Sequence, residues 1–147
     1  MKIKVAWIGK TKDPAIQSLT AEYLKRLAAY SQLEPLSLGS EAALLKLATR
    51  SANRAPCRVV LLDSRGQQFT SEEFARFLDE QQSRSPQPLL LAVGPADGFS
   101  EQARKAASLL LSLGKMTLPH ELARVVLLEQ LYRAFTILKG HPYHLGH

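Results

Sequence analysis

Two uninterrupted apolar runs, Val59-Val-Leu-Leu62 and Leu89-Leu-Leu-Ala-Val93, do most to limit what this chain can become. A strand with one wet face alternates apolar and polar residues, whereas a run without alternation belongs to a strand covered on both faces, as in a parallel sheet. Parallel neighbours need a crossover, and the residues between the two runs supply it. Thr70 and Glu73 have the spacing of a capping box, and Phe74, Phe77 and Leu78 recur at helical intervals. A helix is therefore predicted to about Gln82, broken by Ser85-Pro-Gln-Pro88.

The same alternation extends in both directions. Lys2–Ile8 places Ile3, Val5 and Trp7 opposite Lys2 and Lys4, a first strand ending at Gly9. Asp13-Pro14 opens a helix whose apolar stripe is Ile16, Leu19, Tyr23, Leu24, Leu27 and Tyr30. Residues 33–38 give a short second strand, Ser40 caps a helix buried through Leu44, Leu45 and Leu47, and Asn53 to Pro56 ends it. The strand Arg58–Asp63 is expected to stop in a turn at Asp63-Ser-Arg-Gly66. Ser100 caps a helix drawn to about Ser112, and Lys115 to Leu118 forms a last short strand. The fold class is α/β, one domain over 1–147 with a mostly parallel sheet flanked by helices. Ligands in such sheets bind where loops leave the carboxyl ends of strands. Three loops qualify: after Leu62, after Val93, and around Leu113 to Leu118.

Pro119 suits the first turn of a helix, and no further Pro or Gly occurs until Gly140, so one helix spans Pro119 to Lys139. Leu127, Leu131, Ala134 and Leu138 form one apolar stripe, while Leu122, Val126 and Ile137 fall on roughly the opposite side. A helix apolar on two sides needs two partners, its own sheet and a second copy of the protein, which predicts a homodimer. Arg124 and Tyr132 lie among these apolar residues, where a polar group needs a partner or a task; Glu129 and Arg133 are an i,i+4 pair. Gly140 ends the helix and Pro142 prevents its resumption, so Tyr143 and His144 are expected in an extended tail.

Nineteen Lys and Arg against 13 Asp and Glu, a net charge of +6, suit a polyanionic partner such as RNA. The single Cys57 fits a reducing, cytoplasmic setting. Neither an export signal nor a membrane span is expected. Gly9-Lys10-Thr11 lacks the first glycine of a P-loop, and Gly94-x-x-x-Gly98 is not a dinucleotide fingerprint. His141, His144 and His147 have no acidic or Cys companions in the tail, so no metal is expected, and no nucleophile elbow occurs.

Lys115-Met-Thr-Leu-Pro-His120, the run Arg124-Val-Val-Leu-Leu-Glu-Gln-Leu-Tyr-Arg-Ala-Phe135 and the ending His141-Pro-Tyr-His144 resemble the ribosomal RNA large subunit methyltransferase H family of the SPOUT superfamily. The resemblance extends through Tyr23-Leu-Lys-Arg26, Leu62-Asp63 with Gly66, and the Gly94–Phe99 loop. It implies a trefoil-knotted C-terminal region and a homodimer that uses S-adenosylmethionine to methylate N3 of a pseudouridine in large-subunit (23S) rRNA, on the assembled ribosome. By position it implies cofactor contacts at Leu62, Gly94, Leu113, Gly114, Lys115, Met116, Thr117 and Leu118. His144 is the base or proton shuttle on this reading, oriented by Tyr143, with Arg124 or Arg133 supplying positive charge. The chain departs from its relatives at Pro95, where a second glycine is usual, and in the added Leu145-Gly-His147. Two rivals are a basic RNA-binding module without catalysis, which would bind no cofactor, and a nucleotide-binding regulatory α/β protein, which would bind cofactor without transferring a methyl group.

Overall fold

The computed structural model describes residues 2–49, 57–84 and 87–145, with the backbone alone for 144 and 145. In chain order the elements are β1 (Lys2–Ile8), α1 (Pro14–Leu27), β2 (Gln32–Leu38), α2 (Glu41–Ala48), β3 (Arg58–Gln68), α3 (Ser71–Arg84), β4 (Leu89–Val93), α4 (Glu101–Ala106), β5 (Leu109–Ser112) and α5 (His120–Lys139). A 3-10 turn, Pro142–Leu145, follows. The strands form one parallel sheet in the order β2-β1-β4-β3-β5.

The two apolar runs sit where their composition demands. Every residue of the central β4 is buried. Leu89, Leu91 and Val93 join Ile3, Val5, Trp7 and Val60 in a core closed by α1, α3 and α5. Leu90 and Ala92 face the other way, with Ala6, Val59 and Leu61 against Leu44 of α2 and Ala103 of α4. Pro35, which cannot donate to a ladder, lies on the edge strand β2. Helix starts follow the capping rules: Asp13 accepts from Ala15 and Ile16, Ser40 from Ala43 and Ser100 from Ala103. Thr70 and Glu73 close the capping box reciprocally at 3.0 and 2.8 Å.

Four expectations need correction. The helix capped by Ser100 stops at Ala106 rather than near Ser112, and the last strand is Leu109–Ser112, not Lys115 to Leu118. Without this strand the outer edge of β3 would lack a partner; the Ser108 amide on the Val59 carbonyl, 2.8 Å, starts that pairing. The turn expected at Asp63–Gly66 is instead an irregularity inside a long β3, whose pairing with β5 shifts register between Leu62 and Gln67. A Cβ on Gly66 would lie 2.5 Å from the Leu110 carbonyl, so the strands meet there only with glycine. The tail, finally, is the 3-10 turn rather than extended.

Helix α5 has the expected length, ended by Gly140 in the left-handed region at φ 73°. Leu127, Leu131 and Ala134 are buried, joined by Val125, Leu128 and Phe135, but Leu138 leaves the predicted stripe and is 37% exposed, as is Leu122. The breaks expected at Asn53–Pro56 and at Ser85-Pro86 lie outside the described residues. None of the described helices is long and apolar enough to cross a membrane.

Candidate functional site

A cavity of about 170 Å³ opens at the carboxyl ends of β4 and β5, where the sheet argument places ligands, and beside the irregular middle of β3. Leu62, Gly94 and five of the six residues from Leu113 to Leu118 line it, Lys115 being the exception. The first turn of α5 adds His120 and Ala123. Most of this wall is backbone and apolar side chain. Gly114, at φ 141°, adopts a conformation L side chains rarely take, and Ser112 clasps that turn: its hydroxyl donates to the Gly114 carbonyl and accepts from the Gly114 amide. A Cβ on Gly94 would sit 3.1 Å from the buried Phe99 ring. Pro95 has no N–H to offer a ligand, but its carbonyl accepts from Gly98 at 2.9 Å and closes the loop. Glu41 of α2 holds the next residues by accepting from the amide and hydroxyl of Ser100.

One wall residue escaped the sequence reading as a site residue. Asp63, where β3 begins to deviate from its ladder, has a side chain only 6% exposed and lines the cavity. One carboxylate oxygen accepts from the Arg65 amide at 2.8 Å, and the other from Arg104 Nε at 2.7 Å. Burial pushes its pKa up, but the Arg104 and Arg65 hydrogen bonds, with their charges, outweigh this and hold the carboxyl below its ordinary value. The signal available in the sequence was its position: the first charge after an apolar run, where β3 leaves its regular pairing.

Tyr143 and Arg133 are brought together, away from that cavity. The Tyr143 phenol donates to Glu129 at 3.2 Å and lies 3.4 Å from the Tyr23 hydroxyl, while its ring meets Tyr132 edge-on at 4.7 Å. The Arg133 guanidinium lies over the Tyr143 ring and donates from Nε to Glu129 at 2.9 Å. Burial, then the Tyr23 contact and the Glu129 charge, push the Tyr143 pKa well above its usual value. His141 is tied to Tyr30 by a hydrogen bond between Nδ1 and the phenol. The His144 side chain lies outside the described residues.

Arg124 has a third location. It is fully buried, donating to Thr11 Oγ1 at 2.8 Å and to the Ile8 carbonyl at 3.0 Å, with Trp7 beneath its guanidinium. Burial lowers its pKa, with Glu121 acting in the opposite direction. Glu121 accepts from the Lys12 and Asp13 amides, so one turn of α5 fastens the whole β1–α1 loop. The first turn of α5 thus carries both the pocket residues His120 and Ala123 and the loop brace Glu121 and Arg124, while Glu129 and Arg133 of the tail cluster lie further along. At about 1.5 Å per residue, Ala123 and Arg133 are separated by roughly 15 Å along the axis.

The family model described as predicted SPOUT methyltransferase matches residues 1–144. A ribosomal RNA large subunit methyltransferase H from Koribacter versatilis (strain Ellin345) is 59% identical over 147 residues, covering all of both chains. One from Gloeobacter violaceus is 43% identical over 99% of this chain and 100% of its own. Among solved structures, a probable methylase family protein from Haemophilus influenzae superposes with a TM-score of 0.60 at 12% identity, over 95% of this chain and 69% of that one. The SpoU methyltransferase AviRb from Streptomyces viridochromogenes, in complex with AdoMet, gives 0.53 at 16% identity, over 90% and 57%. These two likenesses show the shared fold.

Proposed function

The chain belongs to the SPOUT methyltransferase family, and from that premise we propose that it methylates N3 of a pseudouridine in 23S rRNA with S-adenosylmethionine. It does so in the cytoplasm, as a homodimer on the assembled ribosome. The observation that carries this is the convergence of Leu62, Gly94 and residues from Leu113 to Leu118 on one cavity, in a chain that matches the family over 1–144. The cavity fits the cofactor in kind: close backbone at Gly94 and Gly114 for an adenosyl group, apolar walls, and one carboxylate for a cation. The trefoil knot belongs to the same proposal.

When bound, S-adenosylmethionine supplies an electrophilic methyl group on a sulfonium. The protein's share is orientation and handling of the imide proton, since an imide nitrogen is a poor nucleophile until that proton leaves. His144 takes the proton, Tyr143 orients it, and Arg133 supplies positive charge to the deprotonated ring. Arg124 contributes by holding the first loop against α5. The separation of tail and pocket within one chain supports a shared site, in which one subunit's tail completes its partner's pocket. Leu122 and Leu138 on α5 and Leu19 on α1 provide exposed apolar surface for such pairing. Excess Lys and Arg attract the RNA.

Tritium transfer from labelled cofactor to ribosomes, subunits and free rRNA, with the modified base mapped, tests the proposal; label on another base or on no RNA refutes it. Light scattering at micromolar concentration should give about twice the chain mass. Mixing a Gly114→Val chain with one truncated after Gly140 should restore activity through heterodimers. If exchange is verified by mass and no activity returns, the shared site is wrong.

A further inference from the structure

Among the described residues Asp63 is the one carboxylate that lines the cavity, set in a wall otherwise of backbone, apolar and small polar groups with His120. Both of its oxygens already accept hydrogen bonds, from the Arg65 amide and from Arg104 Nε. A carboxylate has about four lone-pair sites, so about two remain, but what this residue offers that no other described lining residue does is negative charge. Arg104 neutralises that charge in part; the same guanidinium also pairs with Glu101 at 3.2 Å, but Glu101 is 67% exposed and water screens that pair. Arg65, the second nearby cation, is 3.6 Å away and its side chain is 64% exposed, so water screens it. The nearly buried Asp63 carboxylate lines the cavity and Arg104 does not, so the carboxylate is the nearer charge to a ligand.

We infer that Asp63 reads the charge on the sulfur of the bound methyl donor, so that the pocket favours the sulfonium form over the neutral thioether left after transfer. The inference rests on the methyltransferase reading and adds a discriminating residue to it. The ammonium and ribose hydroxyls, which would use a free acceptor, are common to donor and product, whereas the sulfonium, with no N–H or O–H, answers to charge alone. In the reaction the S–CH3 bond breaks and its electron pair stays on sulfur; the methyl group bonds to the base nitrogen, whose proton has passed to the general base and on to water. Cofactor and product then differ by one methyl group and one positive charge at sulfur, facing the same walls. Asp63 loses its counter-charge at that moment, which loosens product and speeds exchange for fresh donor.

Calorimetric titration of the full-length chain with S-adenosylmethionine and with S-adenosylhomocysteine tests this without any turnover. One charge–charge contact in a partly wet site should make the wild type prefer the sulfonium ligand by about tenfold. Asp63→Asn should erase that preference by weakening the sulfonium ligand, leaving the thioether within about twofold. Arg104→Gln removes the neutralising partner and should raise the preference. An unchanged ratio in Asp63→Asn, or equal weakening of both ligands, overturns the inference, because Asp63 would then act on nothing or on a group the two share. If Asp63→Asn loses its fold by circular dichroism, Arg104→Gln decides alone: a raised ratio supports the inference and an unchanged one overturns it. A wild-type chain that binds neither ligand overturns the methyltransferase reading itself.

Discussion

The cavity at the strand ends and the tail-bearing face of α5 are made of different material. The cavity owes its shape to backbone: Gly94 under Phe99, Gly114 in a conformation side chains avoid, and a serine clasp. The tail cluster is side chain throughout, with Glu129 receiving Arg133 and Tyr143 while Tyr23 and Tyr132 close around the phenol. A backbone site accommodates a ligand of fixed shape and is spoiled by adding atoms. A side-chain site positions charge and protons, and is spoiled by removing them. The contrast matches a division between holding a cofactor and acting on a substrate.

The sharpest test of that division deletes one region and measures the other. Truncation after Gly140 should cut methyl transfer by roughly a hundredfold or more, the scale of losing positioned catalytic groups, while cofactor affinity stays within about twofold. Equal loss of both would mean that the regions are not separate. Next in size, Gly114→Val should weaken cofactor binding by about a hundredfold, because a branched side chain strains a backbone at φ 141° that lines the cavity. Circular dichroism should be unchanged; unaltered calorimetric affinity would remove the loop from the site.

How far such contrasts were legible in the sequence depends on how local their causes are. The capping box at Thr70, the Asp13 and Ser40 caps, the extent of α5 and the two apolar runs are set by residues within a few positions of each other, and these appear as expected, whereas the apolar stripe of α5 loses Leu138 to solvent. β5 was not legible: Leu109-Leu-Leu111 follows a capped helix start with no intervening break, and only the open edge of β3 makes it a strand. The continuation of β3 past Gly66 has the same origin, since glycine reads as a turn until Leu110 is placed against it. Seven of the eight positions that the family resemblance implies for the cofactor line the cavity, and spacing within the chain alone would not have singled them out. Arg124 shows the limit. Its unusual character was visible, but its partners Ile8 and Thr11 are more than a hundred residues away, and no spacing points to them.

A smaller effect follows from that close approach. Gly66→Ala places a methyl group against backbone that has no side chain to move, and should cost about 3 kcal/mol, at the upper end of overpacking penalties. Chemical denaturation with an unchanged m-value measures it. A loss below about 1 kcal/mol would show that β3 and β5 can part there, and that the pairing beside the cavity is softer than its backbone construction implies.

The smallest effects separate the two regions by pH. Asp63, facing Arg104 and Arg65 with Glu101 behind, has a folded pKa below its unfolded one, so the unfolded chain binds more protons between the two values. Its contribution is complete above the unfolded value, near pH 4, and is lost as pH falls through the folded value. Tyr143, facing Tyr23, Tyr132, Glu129 and Arg133, has its pKa raised, so the folded chain keeps the phenolic proton that the unfolded chain releases. That contribution is complete below the unfolded value, about 10, and declines as pH rises toward the folded one. Asp63→Asn should therefore flatten the acid limb of the stability–pH curve and leave the alkaline limb alone. Tyr143→Phe should flatten the alkaline limb, at a cost near neutrality of about 2 kcal/mol for the lost hydrogen bond to a carboxylate. Unfolding midpoints in denaturant from about pH 3 to about pH 11 resolve both limbs. If either substitution changed both limbs, pocket and tail would be electrostatically coupled within one chain, and the division of labour between backbone and side-chain regions would fail at its electrostatic level.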